Sequence, residues 1–316
     1  MANLTPSGSN TVTTSNASTF IPELWSDEVL AAYKKSLVLA NLVQKMPMTG
    51  KKGDTMHIPK PTRGVANAKE TADTVTIQQT ANTELVITVD KHFEYSRLIE
   101  DITEVQAFDS LRRFYTEDAG YALGLKVDQD LFALGKKLGN GTGSSWVHSA
   151  AYYMDKDLGL TPYAADTVTV ADSFSDAGFR SAIQVLDDAD VPMDNRCLVI
   201  PPSAVNDIRG IDRYNSSDFV DGRSISTGKI GTLYGIDVYV SSNCPVIETD
   251  AENSAGGAIK AGILMHKDAF VFCEQLGVRS QTQYKQEYLA TLYTADTIYG
   301  LDVYRPEAGV IIALPA

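Results

Sequence analysis

The stretch from Lys51 to Arg97 constrains this chain more than any other. Thr55-Met-His-Ile58 reads as a short strand closed by Pro59 and Pro61. Leu85-Val-Ile-Thr-Val89 leads into His92-Phe-Glu-Tyr-Ser96, a β-branched and aromatic return strand. Between them Thr62–Thr83 is polar, with weak alternation only at Val75 and Ile77. The block predicts a long two-stranded ribbon whose tip has little apolar surface to bury. Such a ribbon is marginal in water on its own. Either it packs on its own body as a surface hairpin or, more economically, it lies over a neighbouring subunit.

The N-terminus poses the same problem. Twelve of residues 1–20 are Ser, Thr or Asn, which offers too little burial to offset the entropy of ordering. This segment is either a floppy tail or an arm laid along a partner. From Glu23 to Val43 the spacing predicts a short amphipathic helix. Leu30, Tyr33, Leu37 and Ala40 recur at three- and four-residue intervals, and Pro47 and Gly50 end the pattern.

Residues 104–138 carry the longest helical signal. Phe108, Leu111, Tyr115, Ala119 and Ala122 form one stripe, and Leu123, Val127, Leu131, Leu134 and Leu138 form a second. The second is rotated by roughly a third of a turn at 100° per residue. One long helix that faces two packing partners fits this, as do two shorter helices. Gly139-Asn-Gly-Thr-Gly143 stops it, with Gly supplying a left-handed cap. A second helix spans Ser173–Ala189, capped by Ser173 or Ser175. Strand Arg196–Ile200 and a short helix from Ser203 follow. Helices and strands in this arrangement define an α+β class.

Charge then limits the function. Forty acidic against 27 basic residues give a formal net charge of −13, and so acidic a surface repels phosphate. Gripping nucleic acid is therefore not its main task, although standing beside it without sticking is compatible. No apolar run approaches the roughly 20 residues that span a bilayer. Residues 1–22 contain no Lys or Arg and no apolar core, so no signal peptide is expected and the chain is expected to stay in the cell that makes it. Cys197, Cys244 and Cys273 are odd in number and far apart. They suit a reducing compartment and read as ordinary buried thiols.

Catalytic patterns are missing. No two of His57, His92, His148 and His266 lie within five residues of each other, so no histidine ligand pair forms. The Gly139–Gly143 run lacks the Lys-Ser/Thr of a phosphate loop. Asp187, Asp188, Asp190 and Asp194 miss a calcium-loop pattern, because Pro192 interrupts the alternation and no Gly follows. They read as a solvated helix end and turn. No catalytic, cofactor or metal residue is assigned.

One segment remains: Gly228-Lys-Ile-Gly231-Thr-Leu-Tyr-Gly235-Ile-Asp-Val-Tyr-Val-Ser-Ser-Asn243-Cys-Pro245. Gly231 and Gly235 mark tight turns. Ile236, Val238 and Val240 line one strand face, and Pro245 ends the strand. This segment closely resembles the glycine–strand–Ser-Asn-x-Pro segment of tailed-phage major capsid proteins. Arg196–Ser203 resembles that family's preceding strand and Ala261–Ala269 its following one. Tyr299–Ile311 resembles its C-terminal strands, and the arm, ribbon and long helix appear in the same order upstream.

The resemblance covers nearly the whole chain and implies the Hong Kong 97-like capsid fold. Its parts would be an N-terminal arm and short helix (1–49), an extended β-hairpin loop (50–97) and a peripheral domain with a spine helix (98–165). An axial domain (166–274) and return strands of the peripheral domain (275–316) would complete it. It also implies self-assembly as hexamers and pentamers into an icosahedral shell around double-stranded DNA, in the virion, after synthesis in the host cytoplasm. A separate scaffolding protein, a portal protein and cement or decoration proteins are the implied partners, with no membrane. Assembly residues expected on the arm and loop are Lys60, Arg63 and Lys69. Gly231, Gly235, Asn243 and Pro245 mark the axial turn and strand. Some relatives crosslink a loop Lys to a neighbour's Asn, and Lys60 and Lys69 are available, though no local motif marks either. The competing readings are an encapsulin-type nanocompartment shell and an α+β enzyme using scattered Asp and His.

Overall fold

In the computed structural model the described residues are 38–49, 52–61, 64–71, 74–75, 77–78, 82–102, 111–141, 146, 150–155, 159–165, 168, 172–211, 231–249, 252–253 and 257–316. The polar N-terminus, most of the helix expected over Glu23–Val43, Arg63 and His148 lie outside them. The last residues of that expected helix form a 3-10 turn, Leu39–Asn41, which leads directly into strand β1, Gln44–Pro47.

Among the described residues there are three sheets. The ribbon is β2 (Thr55–Pro61) against β3 (Asn82–Thr88), in antiparallel register from Thr55 opposite Thr88 to Pro61 opposite Asn82. The strand runs through both prolines expected to close it. A two-stranded ribbon makes this possible, because each strand has an outer edge where a missing N–H costs no ladder bond. The return strand is also shorter than the sequence suggests. Strand β4 (Lys91–Glu100), which contains His92–Ser96, leaves the ribbon and pairs over its whole length with β13 (Ala290–Val303).

β4 and β13 belong to a four-stranded sheet ordered β1-β12-β13-β4, in which β12 is Phe270–Lys285 and β1 runs parallel to it. The large sheet is ordered β6-β5-β14-β11-β7-β9-β8. Its strands are Gly159–Pro162, Ala151–Asp155, Gly309–Pro315, Ile259–His266, Arg196–Ile200, Ile236–Val240 and Thr232–Leu233, with β10 (Val246–Glu248) also on β11. Every residue of β7 is buried, as are nearly all of β11 and β14. Unbroken runs such as Val310-Ile-Ile-Ala-Leu314 reflect strands covered on both faces.

Helix α1, Leu111–Leu134, is continuous and ends in a 3-10 segment, Gly135–Asn140. It meets two partners along its length, but the change of partner falls after Leu123, one position into the second stripe, and not between the stripes. Ala119 and Leu123 pack with Tyr293 and Ala295 of the four-stranded sheet. Val127, Leu131 and Leu138 join the main core beside the large sheet. Gly139 has φ +58, the left-handed stop that the sequence predicts. Asp130 ties α1 to the smaller sheet, accepting from Lys91 Nζ at 3.0 Å, Lys126 Nζ at 2.9 Å and Tyr299 Oη at 3.0 Å. Burial alone would raise this carboxyl, but the hydrogen bonds from Lys126 and Lys91 hold it below its ordinary range.

Helix α2, Asp176–Asp188, is capped by Ser175, whose Oγ accepts from Gly178 N at 3.1 Å. After it, the buried Arg196 guanidinium fixes the turn, donating to the carbonyls of Val191 and Pro192 and pairing with Asp187 at 2.7 Å. Asp190 and Asn195 take positive φ there. This aspartate-rich stretch is a structural turn. Helix α3, Pro202–Gly210, leads toward the parallel pairing of β7 with β9.

Candidate assembly surfaces

The ribbon has a firm root. Ile87 is fully buried with Met48, Val271 and Cys273, and Met56, Ile58, Leu85 and Val89 pack around them. Val89 N donates to Asp54 O at 2.8 Å, and Gln275 Nε2 to Gly53 O at 2.8 Å. Gly300 of β13 lets the backbone come this close, since a Cβ there would sit 2.5 Å from Thr88 O and 3.1 Å from Val89 Cα. Neither atom can move without shifting the ribbon. Gly300→Ala is therefore expected to cost about 1–3 kcal/mol by overpacking, read as a lower urea midpoint with faster amide exchange at Ile87. An unchanged midpoint would mean that the root has slack.

The tip contrasts with the root. Ile77 is 90% exposed, and Val65 and Val75 are each 73% exposed. The Gln78 side chain bonds both the N–H and the carbonyl of Val65, so the two sides of the tip are linked. Apolar side chains held out in this way lose nothing by meeting another surface. Lys60 lies on β2, exposed, with its carbonyl accepting from Thr83 Oγ1 at 3.1 Å. Lys69 is exposed in the tip loop, and Arg63 lies outside the described residues.

A second exposed apolar patch was not read from the sequence. It sits at the far end of the four-stranded sheet, where Leu98, Ile102, Tyr284, Tyr288 and Leu289 are exposed. Asp101 organises it: its N–H donates to Leu289 O at 3.1 Å and its carboxylate accepts from Tyr284 Oη at 2.7 Å. That hydrogen bond, with burial, raises the Tyr284 phenol. The available signal was Tyr284, Tyr288 and Leu289 flanking a turn between two long strands.

The turn and strand residues 231–245 are not a surface of this kind. Tyr234 (φ +51) and Gly235 (φ +78) form the two-residue turn between β8 and β9, with both residues left-handed as the hairpin twist requires. Gly231 has no such φ; its carbonyl accepts from Val238 N at 3.1 Å. Ile236 and Val238 are buried, while Val240 is exposed. Asn243 is only 8% exposed, and its Nδ2 donates to Asp128 Oδ2 at 2.8 Å. The Pro245 carbonyl accepts from Ala261 N at 2.9 Å.

Among the described residues no group of three His, Cys, Asp or Glu side chains could hold a metal ion, and no helix is long and apolar enough to cross a membrane. His57, His92 and His266 each face one carboxylate, Glu84, Asp296 and Asp268 respectively, in three separate places. All three cysteines are buried. Burial pushes the Cys197 and Cys244 thiols up to about 12, well away from a reactive thiolate.

Comparison with known proteins bears on this arrangement directly. The family model for phage capsid protein matches residues 18–314. The capsid structure of the cyanophage P-SCSP1u is 17% identical, with a TM-score of 0.73 over 99% of each chain. A structure from Mycobacterium phage Che8 is 23% identical, with a TM-score of 0.70 over 93% of this chain and 97% of that one. The capsid of Ralstonia phage GP4 is 14% identical, with a TM-score of 0.66 over 93% and 95%. Comparison with curated protein sequences gives no match. A long helix packed against two sheets, a rooted ribbon with a bare tip and a family match over nearly the whole length agree: the chain belongs to the phage capsid protein family and has the Hong Kong 97-like fold of tailed-phage major capsid proteins.

Proposed function

We propose that this chain is the shell subunit of a tailed phage, assembling as hexamers and pentamers into an icosahedral capsid around double-stranded DNA. The observation that carries this reading is the ribbon: its root is buried in the subunit while Val65, Val75 and Ile77 at its tip stand exposed. A two-stranded arm with a bare apolar tip gains stability only from a neighbour. The second exposed patch, around Leu289 and Ile102, offers another contact of the same kind. The net charge of −13 lets DNA pack inside without tight binding.

In this reading the protein catalyses nothing. It is made in the host cytoplasm and ends in the virion. A separate scaffolding protein, a portal and cement or decoration proteins are the expected partners. The peripheral domain is built on α1 and the C-terminal strands, and the axial domain holds Gly231 to Pro245. Lys60 on β2 and Lys69 in the tip loop are contact residues, and Arg63, expected with them, lies outside the described residues.

The test is negative-stain electron microscopy and sedimentation of the protein expressed alone and with its neighbouring genes. Closed shells, or rings of five and six subunits, are the expected result. A stable monomer or dimer under every condition would leave the fold intact and sink the function. Particles filled with cargo protein and no DNA would favour a nanocompartment shell.

A further inference from the structure

Asp128 belongs to none of the exposed surfaces. It lies on α1, one residue past Val127, with 0% of its surface exposed. Burying a carboxylate is costly unless hydrogen bonds compensate. Here they come from two sequence-distant directions. Oδ1 accepts from the backbone N–H of Leu39 at 2.9 Å and of Val38 at 3.3 Å. Oδ2 accepts from Asn243 Nδ2 at 2.8 Å. Asn243 is itself set by its N–H donating to Ser241 Oγ at 3.2 Å.

Three segments meet at this carboxylate: the root of the N-terminal arm, the spine helix and the loop that follows β9. Two backbone N–H groups on one oxygen dictate not only where the chain sits at Val38–Leu39 but which way it points. Leu39 is fully buried beside them and starts the 3-10 turn into β1. The anchor is charge-assisted on both sides, and such bonds are roughly twice as strong as neutral ones.

We infer that Asp128 is the positioning residue of the N-terminal arm. It locks Val38 and Leu39 to the spine helix, Asn243 holds the carboxylate in place from the opposite side, and closure of the shell depends on this lock. This rests on the capsid reading for its last step only. The anchoring itself is a property of the subunit.

Two variants of the full chain test it. Asp128→Leu keeps the branched shape, with bulkier methyl groups in place of the oxygens, and removes both acceptors. Hydrogen exchange at Leu39 should then accelerate by at least about tenfold, while β11 and β14 keep their protection. Under conditions where the wild type closes shells, this variant should give open or irregular particles. Asp128→Asn keeps an oxygen for the arm amides and loses the charge. It should fold, exchange at Leu39 roughly three- to tenfold faster, and still form shells.

Three outcomes would overturn the inference. Leu39 exchange unchanged in Asp128→Asn would show that the carboxylate does not hold the arm root. Equal loss of protection at Leu39, β11 and β14 in Asp128→Leu would make Asp128 an ordinary core group. Normal shells from Asp128→Leu despite a released Leu39 would separate anchoring from assembly. Should the wild type form no shells, the capsid reading fails by that control, and the exchange data still decide the anchor.

Discussion

Replacing residues 62–81 by a short Gly-Ser link leaves a folded subunit that no longer closes shells. Its unfolding free energy should lie within about 0.5 kcal/mol of the wild type, the range of ordinary surface changes. The ribbon's stabilising contacts are at its root, where Ile87 packs with Met48, Val271 and Cys273. None of those residues is touched, and a shorter link slightly lowers the entropy of closing the ribbon. The loss falls on assembly. Burying a side chain such as Val65, Val75 or Ile77 against a neighbour is worth about 1.5–3 kcal/mol. Each 1.4 kcal/mol is a factor of ten in a contact's equilibrium constant, so every interface in a shell would be weakened at once. Ile77→Ser and Lys69→Ser, made separately, distinguish apolar from charged contacts at the tip. Sedimentation reads assembly and urea unfolding reads the fold. A tip-deleted chain that cannot fold would show that the tip belongs to the subunit's own core.

Phe179→Ala should have the opposite signature, with stability falling first. Phe179 is fully buried on α2, its ring 5.5 Å from that of Phe174 and 6.1 Å from that of Tyr234. Removing so large a buried ring costs about 3–5 kcal/mol through lost transfer energy and the cavity left behind. Total stabilities are typically about 5–15 kcal/mol, so the variant should unfold at a much lower urea concentration. The damage spreads through Tyr234. Its ring rests near Phe179 and its hydroxyl donates to Asp176 Oδ1 at 2.6 Å, which pins the turn between β8 and β9 to α2. Tyr234→Phe, which removes that exposed hydrogen bond and keeps the ring, should cost about 1 kcal/mol or less. Equal effects from the two variants would mean that the turn, and not the core, governs this edge of the large sheet.

The sequence was informative wherever a pattern is local. Short apolar and β-branched runs, two of them bounded by prolines, located the strands at Thr55, Leu85 and Arg196, and three- and four-residue spacing located α1. Gly139 and Ser175 ended and began helices for reasons that lie within a few residues of each. Partners were out of reach, because alternation reveals which way side chains point and not which strand lies alongside. His92–Ser96 therefore reads as part of the ribbon, whereas its neighbour is the stretch Thr294–Ile298 some 200 residues later. Asn243 stood out as part of a recognisable segment, but its partner Asp128 is 115 residues away. The one available hint was an acid flanked by the core positions Val127 and Leu131 on the buried side of α1.

The position of β14 has a consequence for how the subunit is made. It comes after every other strand of its sheet in chain order, yet it lies inside that sheet, parallel to β5 and antiparallel to β11. Among the described residues β5 and β6 reach β11, β7, β9 and β8 only through it. During synthesis the two parts of the sheet must wait, unjoined, until residues 309–315 have emerged from the ribosome. Pairings between sequence-distant strands form slowly, and they leave open edges exposed meanwhile. A chain cut short before Gly309 would keep both parts and lack the strand that joins them. It would be a substrate for chaperones and proteases before it could poison a growing shell.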